Sequence, residues 1–249
     1  MIYQRHIPQE ELFSSQLETL MQNSRIATLS AHLVGVLAAV ILFWQYLGIS
    51  TVLLWAAAFF ILLLLRSLQM SSALVERRFQ TNPKGVYWQL IIGAAITGGV
   101  WAAAYIFAAS RVPISMQYMF LLIIVMITAF SLGYSVIIRE YYIVYVFASL
   151  WPIAWWCLVH YREQSYNSLI GLLLLAFCAV LVSVSDRVYL SFQNMISLNW
   201  ERETMAQELG ELTTSLRDRN RQLRDARRQL TDLANVDELT GLGNRRLVN

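Results

Sequence analysis

The chain has 249 residues, of which 57% are hydrophobic and only 14% are charged, and its formal net charge is +3. Soluble domains carry about 25% charged residues, so this composition excludes a protein that is soluble over its whole length. Residues 27–189 are mostly apolar and those from Glu201 onward are mostly charged, which predicts a membrane region followed by a soluble tail. Much of the positive charge flanks the apolar stretches, as in membrane proteins, so nucleic acid is not an expected partner.

Residues 1–26 are predicted to form a cytoplasmic N-terminal segment. They lack the basic start and apolar core of a cleavable signal peptide. Within them, Glu10–Gln22 alternates apolar and acidic residues with helical spacing, which predicts an amphipathic helix. This helix either lies on the inner surface of the membrane or packs on the helix that leaves the last membrane span.

Six stretches are long and apolar enough to cross a bilayer, for which about 20 residues are needed. They cover residues 27–47, 50–70, 88–109, 116–137, 141–160 and 168–189. The sequence therefore predicts an all-α fold whose residues 27–189 form a bundle of six transmembrane helices.

The basic residues between these spans predict the orientation of the bundle, because cytoplasmic loops carry an excess of Lys and Arg. With the N-terminus in the cytoplasm, the inner flanks hold Arg5, Arg25, Arg66, Arg77, Arg78, Lys84, Arg139 and Arg187, whereas the outer loops hold Arg111 and Arg162. Both termini are therefore predicted to be cytoplasmic.

Small residues recur every fourth position in two of the spans. One such ridge contains Gly35 in the first span, and two others contain Gly98 and Gly99 in the third. Ridges of this kind let two helices approach closely. They indicate either packing inside one bundle or a seam between two copies of the chain.

The fifth span places tryptophans around a proline, Pro152. The indoles either form an aromatic belt at the membrane surface or, with a kink at the proline, line a pocket for an acyl chain or an apolar small molecule. The candidate pocket residues are Trp101, Tyr105, Tyr134, Trp151, Trp155 and Trp156.

Metal binding, disulfide formation and transport have little support in the sequence. His32 and His160 fall at opposite ends of their spans, roughly 30 Å apart, so no metal site is expected. Cys157 and Cys178 lie in apolar runs at different depths and are predicted to be two buried thiols. A transporter would need polar or charged groups along a pathway inside the membrane, and no run of intramembrane acids occurs.

Residues 190–235 are predicted to form a coiled-coil signalling helix that continues from the sixth span. Apolar residues recur there with a period of 3.5, and charged residues surround them. The predicted seam consists of Met205, Leu209, Leu212, Leu216, Leu223, Leu230 and Leu233. Arg202 and Arg219 interrupt this seam, where they either extend out of it or leave the coil only marginally stable. We expect a parallel homodimer in one bilayer.

After the seam, residues 236–249 contain the string DELTGLGNRR. This string resembles the start of the catalytic domain of the GGDEF family, the diguanylate cyclases, although Gly243 stands where the family often has proline. The matching residues, which would form the joint between stalk and catalytic domain, are Asp237, Leu239, Thr240, Gly241, Leu242, Asn244, Arg245 and Arg246.

The resemblance implies an enzyme whose two catalytic domains each hold GTP with magnesium and condense the nucleotides to cyclic di-GMP. The family's signature loop does not occur in these 249 residues, so no catalytic residue and no cofactor are assigned to them, and we expect the catalytic domain to follow. The six spans resemble the membrane sensor modules (MASE-type) that precede such domains in the bacterial inner membrane. Alternatives are the sensor of a degenerate GGDEF receptor, that of a GGDEF–EAL phosphodiesterase and, from another class, a membrane transporter.

Overall fold

The computed structural model describes residues 9–160 and 167–235 of the chain. Within these ranges the regular secondary structure is entirely helical, as the all-α prediction requires. The helices are α1 (Gln9–Phe43), α2 (Ile49–Val75), α3 (Arg78–Thr81), α4 (Pro83–Ala109), α5 (Ile114–Ser135), α6 (Arg139–Val159) and α7 (Asn167–Asn235). All but the four-residue α3 are long and apolar enough to cross a membrane, which confirms the six predicted spans.

The turns between the spans follow from local residue chemistry. Gly48 precedes α2 with a φ of 77°, a left-handed angle that glycine adopts without steric strain. Asn82 caps α4, where its side chain accepts a hydrogen bond from the backbone N–H of Gly85 at 3.0 Å. Pro83 occupies the first turn of the same helix, a position at which its missing N–H is not needed. We call the two ends of the bundle the Pro83 end and the Arg111 end, after their connections.

The main core is formed where α4 packs against α6 and α1 packs against α2 and α5. The large side chains of Trp101, Phe120 and Ile124 are completely buried there. Gly98 allows α4 to approach α6 closely, because a Cβ atom at Gly98 would lie 2.9 Å from the carbonyl oxygen of Tyr145. The bundle is thus specified by contacts within one chain.

A second apolar cluster lies at the Pro83 end and includes the N-terminal part of α1. Leu17, Leu20 and Met21 are completely buried in it, against residues of α2, α3, α4 and α6. The predicted amphipathic segment is therefore continuous with the first span in one helix of 35 residues. Its apolar face packs mainly on these neighbouring helices, and Phe192 of α7 lies at the edge of the cluster.

The chain divides into two compact units, one comprising residues 6–195 and the other including residues 196–235. In the first unit, α7 approaches α6 at Gly171, where a Cβ atom would lie 3.0 Å from the carbonyl oxygen of Ala154. Leu174, Cys178 and Leu181 are the buried apolar side chains of this part of α7. In the second unit, the described side chains of α7 are almost all exposed.

Candidate functional sites in the bundle and on helix α7

The six candidate pocket residues occupy different environments. Trp101 and Tyr105 are buried in the core, and Tyr134 is buried further along α5. Trp156 is half-buried and meets Tyr105 edge-on, with ring centroids 6.1 Å apart.

Trp151 and Trp155 lie on the outer surface of α6, where their side chains are 48% and 64% exposed. These two indoles are therefore placed as in an aromatic belt facing lipid. Helix α6 itself continues through Pro152. A pocket at this segment stays a prediction.

A pronounced apolar groove lies on another face of the bundle, between α2 and α4 at the Arg111 end. Its volume is about 560 Å³, and its described lining is apolar apart from Thr51 and the indole nitrogen of Trp55. Trp55 and Ala58 of α2 form one wall, and Ala104 and Phe107 of α4 form the other. We call this site the α2–α4 groove. Ligand pockets in proteins span about 300–1,000 Å³, so it has the size of a binding site.

The floor of the α2–α4 groove is continuous with the aromatic core. Phe120 lines the groove and its ring centroid lies 4.8 Å from that of Phe43, which also lines it. Trp101 lies one layer deeper, 5.9 Å from Trp55 and 5.8 Å from Phe120 between ring centroids. Trp101 in turn contacts His32. A series of contacting aromatic rings therefore connects the groove with the centre of the bundle.

Arg66 of α2 is buried and forms hydrogen bonds to two other helices, α4 and α6. Its guanidinium donates a hydrogen bond to Thr97 Oγ1 at 2.5 Å and another to the hydroxyl of Tyr141. Gly93 makes room for it on α4, since a Cβ atom there would lie 3.1 Å from Arg66 Nε. The arginine was predicted to be an inner flanking residue, but only 8% of its surface is exposed.

The sequence-based prediction concerned acids inside the membrane and did not anticipate that Arg66, a basic residue, would be buried. Within the described residues, no ion pair involves its guanidinium. Hydroxyl groups and the Tyr141 ring, whose centroid lies 5.4 Å from Arg66 Cζ, solvate it instead. Through these contacts Arg66 joins α2, α4 and α6.

His32 and the two cysteines are buried in the bundle. His32 is buried and stacks on Tyr145, with ring centroids 5.8 Å apart. Cys157 and Cys178 are free and buried, as predicted. Among residues 9–160 and 167–235, no three metal-binding side chains come together. Asp186 pairs with Arg139 of α6 at 2.6 Å and thereby connects α7 to the bundle.

The small-residue ridges have two different environments. Gly35 and Gly98 are buried and touch other helices of the same chain, so their ridges serve internal packing. Gly99 points away from the core, since a Cβ atom there would have no group of the described chain within 4 Å beyond its own helix turn. Of the third span's two ridges, the one through Gly99 is therefore free to meet lipid or another copy.

The predicted seam residues lie on α7 and are exposed in the single chain. Their exposed fractions run from 53% to 69%, and the residues are Met205, Leu209, Leu212, Leu216, Leu223 and Leu230. The side chain of Leu233 and the whole joint, Asp237 to Arg246, lie outside the described residues. Comparisons with protein-family models, with curated proteins and with solved structures find no match to this chain.

Proposed function

We propose that this chain is the membrane sensor and signal-transmitting stalk of a diguanylate cyclase of the bacterial inner membrane, with both termini in the cytoplasm. The observation that carries the proposal is the apolar face of α7. Its residues recur with the spacing of a coiled coil and stay more than half exposed in the single chain. They lead directly toward the string DELTGLGNRR, which resembles the start of a GGDEF domain.

An exposed apolar row of this kind is expected to be covered in the working protein. Single exposed leucines are common on protein surfaces, but six large apolar side chains that recur with coiled-coil spacing along one helix are typical of an interaction site. Two copies in one bilayer, in the same orientation, would cover the row by pairing as a parallel coil. The proposed partner is therefore a second copy of this chain, and the bilayer surrounds the bundle.

The proposed mechanism is a two-state dimer. A signal in or near the bundle changes the position of α7, and the paired stalks carry this change to the catalytic domains. There, two GTP molecules with magnesium would be condensed to cyclic di-GMP. To convert a population from 1:99 to 99:1, the signal must favour one state by about 5.5 kcal/mol.

A disulfide across the seam tests this mechanism. The Leu216→Cys variant of the complete protein, in nanodiscs, should form a disulfide between two copies on mild oxidation. The cross-linked protein should then form cyclic di-GMP at a fixed rate that differs from the rate before cross-linking. Thr214→Cys, on the opposite side of the same helix turn, is the matched control and should not cross-link. Product formation that is identical before and after cross-linking of Leu216→Cys would refute the coupling.

The same preparation separates the alternatives. Cyclic di-GMP formed from GTP and magnesium supports the cyclase. Binding of cyclic di-GMP without turnover would indicate a degenerate receptor, and its hydrolysis a phosphodiesterase.

A further inference from the structure

The α2–α4 groove lies at the depth of one membrane leaflet. It extends from Thr51 to Ala58 on α2 and from Phe107 back to Val100 on α4. At about 1.5 Å per residue this is roughly 10 Å along each helix. Half of the hydrocarbon core of a bilayer is about 15 Å thick, so the groove is contained in one leaflet.

The groove is accessible from the side that faces lipid. Leu54 and Ala58 on one wall and Ala103 on the other are exposed on the outside of the bundle. In a bilayer such a groove is filled by hydrocarbon. An acyl chain gains no hydrophobic free energy by moving there from lipid, however, because lipid tails are as apolar as the groove. Any selectivity must come from the polar end and from the size of the groove.

The polar end is supplied by Arg111. Its guanidinium carbon lies 4.0 Å from the ring centroid of Phe107, a residue that lines the groove. One nitrogen donates to the carbonyl oxygen of Phe107 at 2.5 Å, which holds the guanidinium over that ring. In the connections described at this end, residues 44–48 and 110–113, Arg111 is the only charged residue. Its remaining N–H donors suit a carboxylate.

We propose that the α2–α4 groove binds the anion of a long-chain fatty acid, with the acyl chain between α2 and α4 and the carboxylate on Arg111. The groove is roughly 10 Å long, so it holds part of one acyl chain, and the carboxylate on Arg111 rather than the chain distinguishes this ligand from ordinary lipid. The proposal deepens the sensor function proposed above, on which its role as the input signal rests.

Photo-labelling of the complete protein tests the binding itself. The protein is placed in nanodiscs of phosphatidylcholine and irradiated with a diazirine analogue of palmitic acid, and labelled peptides are identified by mass spectrometry. We expect labels on α2 and α4 around Ala58 and Ala103. Palmitate should compete at least about tenfold better than hexadecanol, since one charge-assisted contact is lost in the alcohol.

Four variants test whether the label is bound in the groove and on Arg111. Ala58→Trp fills the groove and should reduce labelling to the background seen under excess palmitate, and Ala103→Trp should do the same from the opposite wall. Ala57→Trp, which is exposed outside the groove, should label like the unchanged protein. Arg111→Gln should weaken competition by palmitate about tenfold.

Three outcomes would overturn the proposal. Equal labelling of Ala58→Trp, Ala103→Trp and Ala57→Trp would mean that ordinary boundary lipid is being labelled. Competition by phosphatidylglycerol as strong as by palmitate would assign the groove to a phospholipid, and equal competition by hexadecanol would remove the role of Arg111. Because labelling needs no catalytic output, binding without any change in cyclic di-GMP formation would leave the site standing and show that the fatty acid is not the input signal of the proposed sensor.

Discussion

Apolar side chains are buried in the bundle but exposed on the part of α7 from residue 196 onward. In residues 9–195, side chains as large as Trp101 and Phe120 are completely buried. In residues 196–231, every described seam residue is more than half exposed. Both regions are helical and both carry regular apolar patterns. The difference is that the bundle buries its pattern against other helices of the same chain, whereas the described part of the chain leaves the seam residues of α7 exposed.

The contacts that define the bundle therefore differ in kind from those proposed for the stalk. The close contacts of the bundle, such as the approach of α4 to α6 at Gly98, are complete in a single copy. In the proposed dimer, the position and register of the stalk would depend on the pairing of its seam residues, and that pairing could change while the contacts of the bundle stay intact.

The strongest test of this contrast removes the apolar face of the stalk. In the double variant Leu209→Asp/Leu216→Asp, each copy loses two seam leucines and gains two charges that repel the partner. Loss of a buried leucine costs about 2–5 kcal/mol. We therefore expect the dimer dissociation constant to rise by at least about a thousandfold. Light scattering of the detergent-solubilised protein measures this change.

A matched control carries the same charges on the opposite face of the helix. Gln207→Asp/Thr214→Asp should leave the molar mass unchanged, because both positions are remote from the seam. If the seam variant and the control had the same mass at every concentration, the stalk would not be the dimer contact.

The second prediction concerns packing inside the bundle. Gly98→Val places side-chain atoms against the backbone of α6, which cannot yield as a side chain can. We expect a loss of about 3 kcal/mol in the free energy of unfolding, at the upper end of the usual overpacking penalty. Gly99→Val, one residue away and facing open space, should change stability by less than about 0.5 kcal/mol. Thermal unfolding in detergent compares the two, and equal melting temperatures would contradict the assigned packing.

The third prediction addresses the buried cation. Arg66→Met keeps an apolar stem but leaves the Tyr141 hydroxyl without the guanidinium, whereas Thr97 still donates to the carbonyl oxygen of Gly93. A buried hydroxyl without a hydrogen-bond partner lowers the free energy of unfolding by about 1–3 kcal/mol. Removing the guanidinium also removes the free-energy cost of burying its charge, which offsets part of that loss. We expect a net loss of about 1–2 kcal/mol. Arg187→Met, at an exposed position, serves as the control, and a variant at least as stable as the parent would exclude a structural role for Arg66.

The smallest effect is expected at the ion pair between α6 and α7. Arg139 and Asp186 are both more than two-fifths exposed, and exposed pairs contribute about 0.2–1 kcal/mol. Asp186→Asn should lower the melting temperature by no more than a few degrees, and raising the salt concentration should reduce the difference. The reversed pair, Arg139→Asp with Asp186→Arg, should restore most of the loss. A large effect of Asp186→Asn would mean that this contact holds α7 in place.

The membrane spans were predictable because the bilayer imposes a length and a composition that few other constraints override. The α2–α4 groove was not predictable by the same reasoning. In a membrane helix the lipid-facing and core-facing sides are both apolar, so the composition of α2 does not reveal which side faces α4. Trp55 and the small residues Ala58, Ala103 and Ala104 were the available signals, and they resemble ordinary span residues.

The burial of Arg66 and the length of α1 were also not predictable from the sequence, because both depend on contacts with other helices. Lys and Arg near the ends of spans predict orientation, but whether one of them is buried depends on hydroxyl groups from other helices, here Thr97 and Tyr141. The continuity of α1 depends on tertiary contacts as well. Asn23, Ser24 and Arg25 break the apolar pattern, yet the helix continues through them, and the buried Ser24 hydroxyl meets Met70 of α2.

The length of α1 has a mechanical consequence. Its 35 residues extend over about 52 Å, whereas the hydrocarbon core of a bilayer is about 30 Å thick. A helix of this length that crosses a bilayer perpendicularly would leave about 20 Å outside the core, including Leu17 and Leu20. A tilt of about 10° of the first span would displace the far end of that extension sideways by about 3 Å. Because Leu17 and Leu20 are buried against α2, α3, α4 and α6, such a tilt would require the side chains around them to repack.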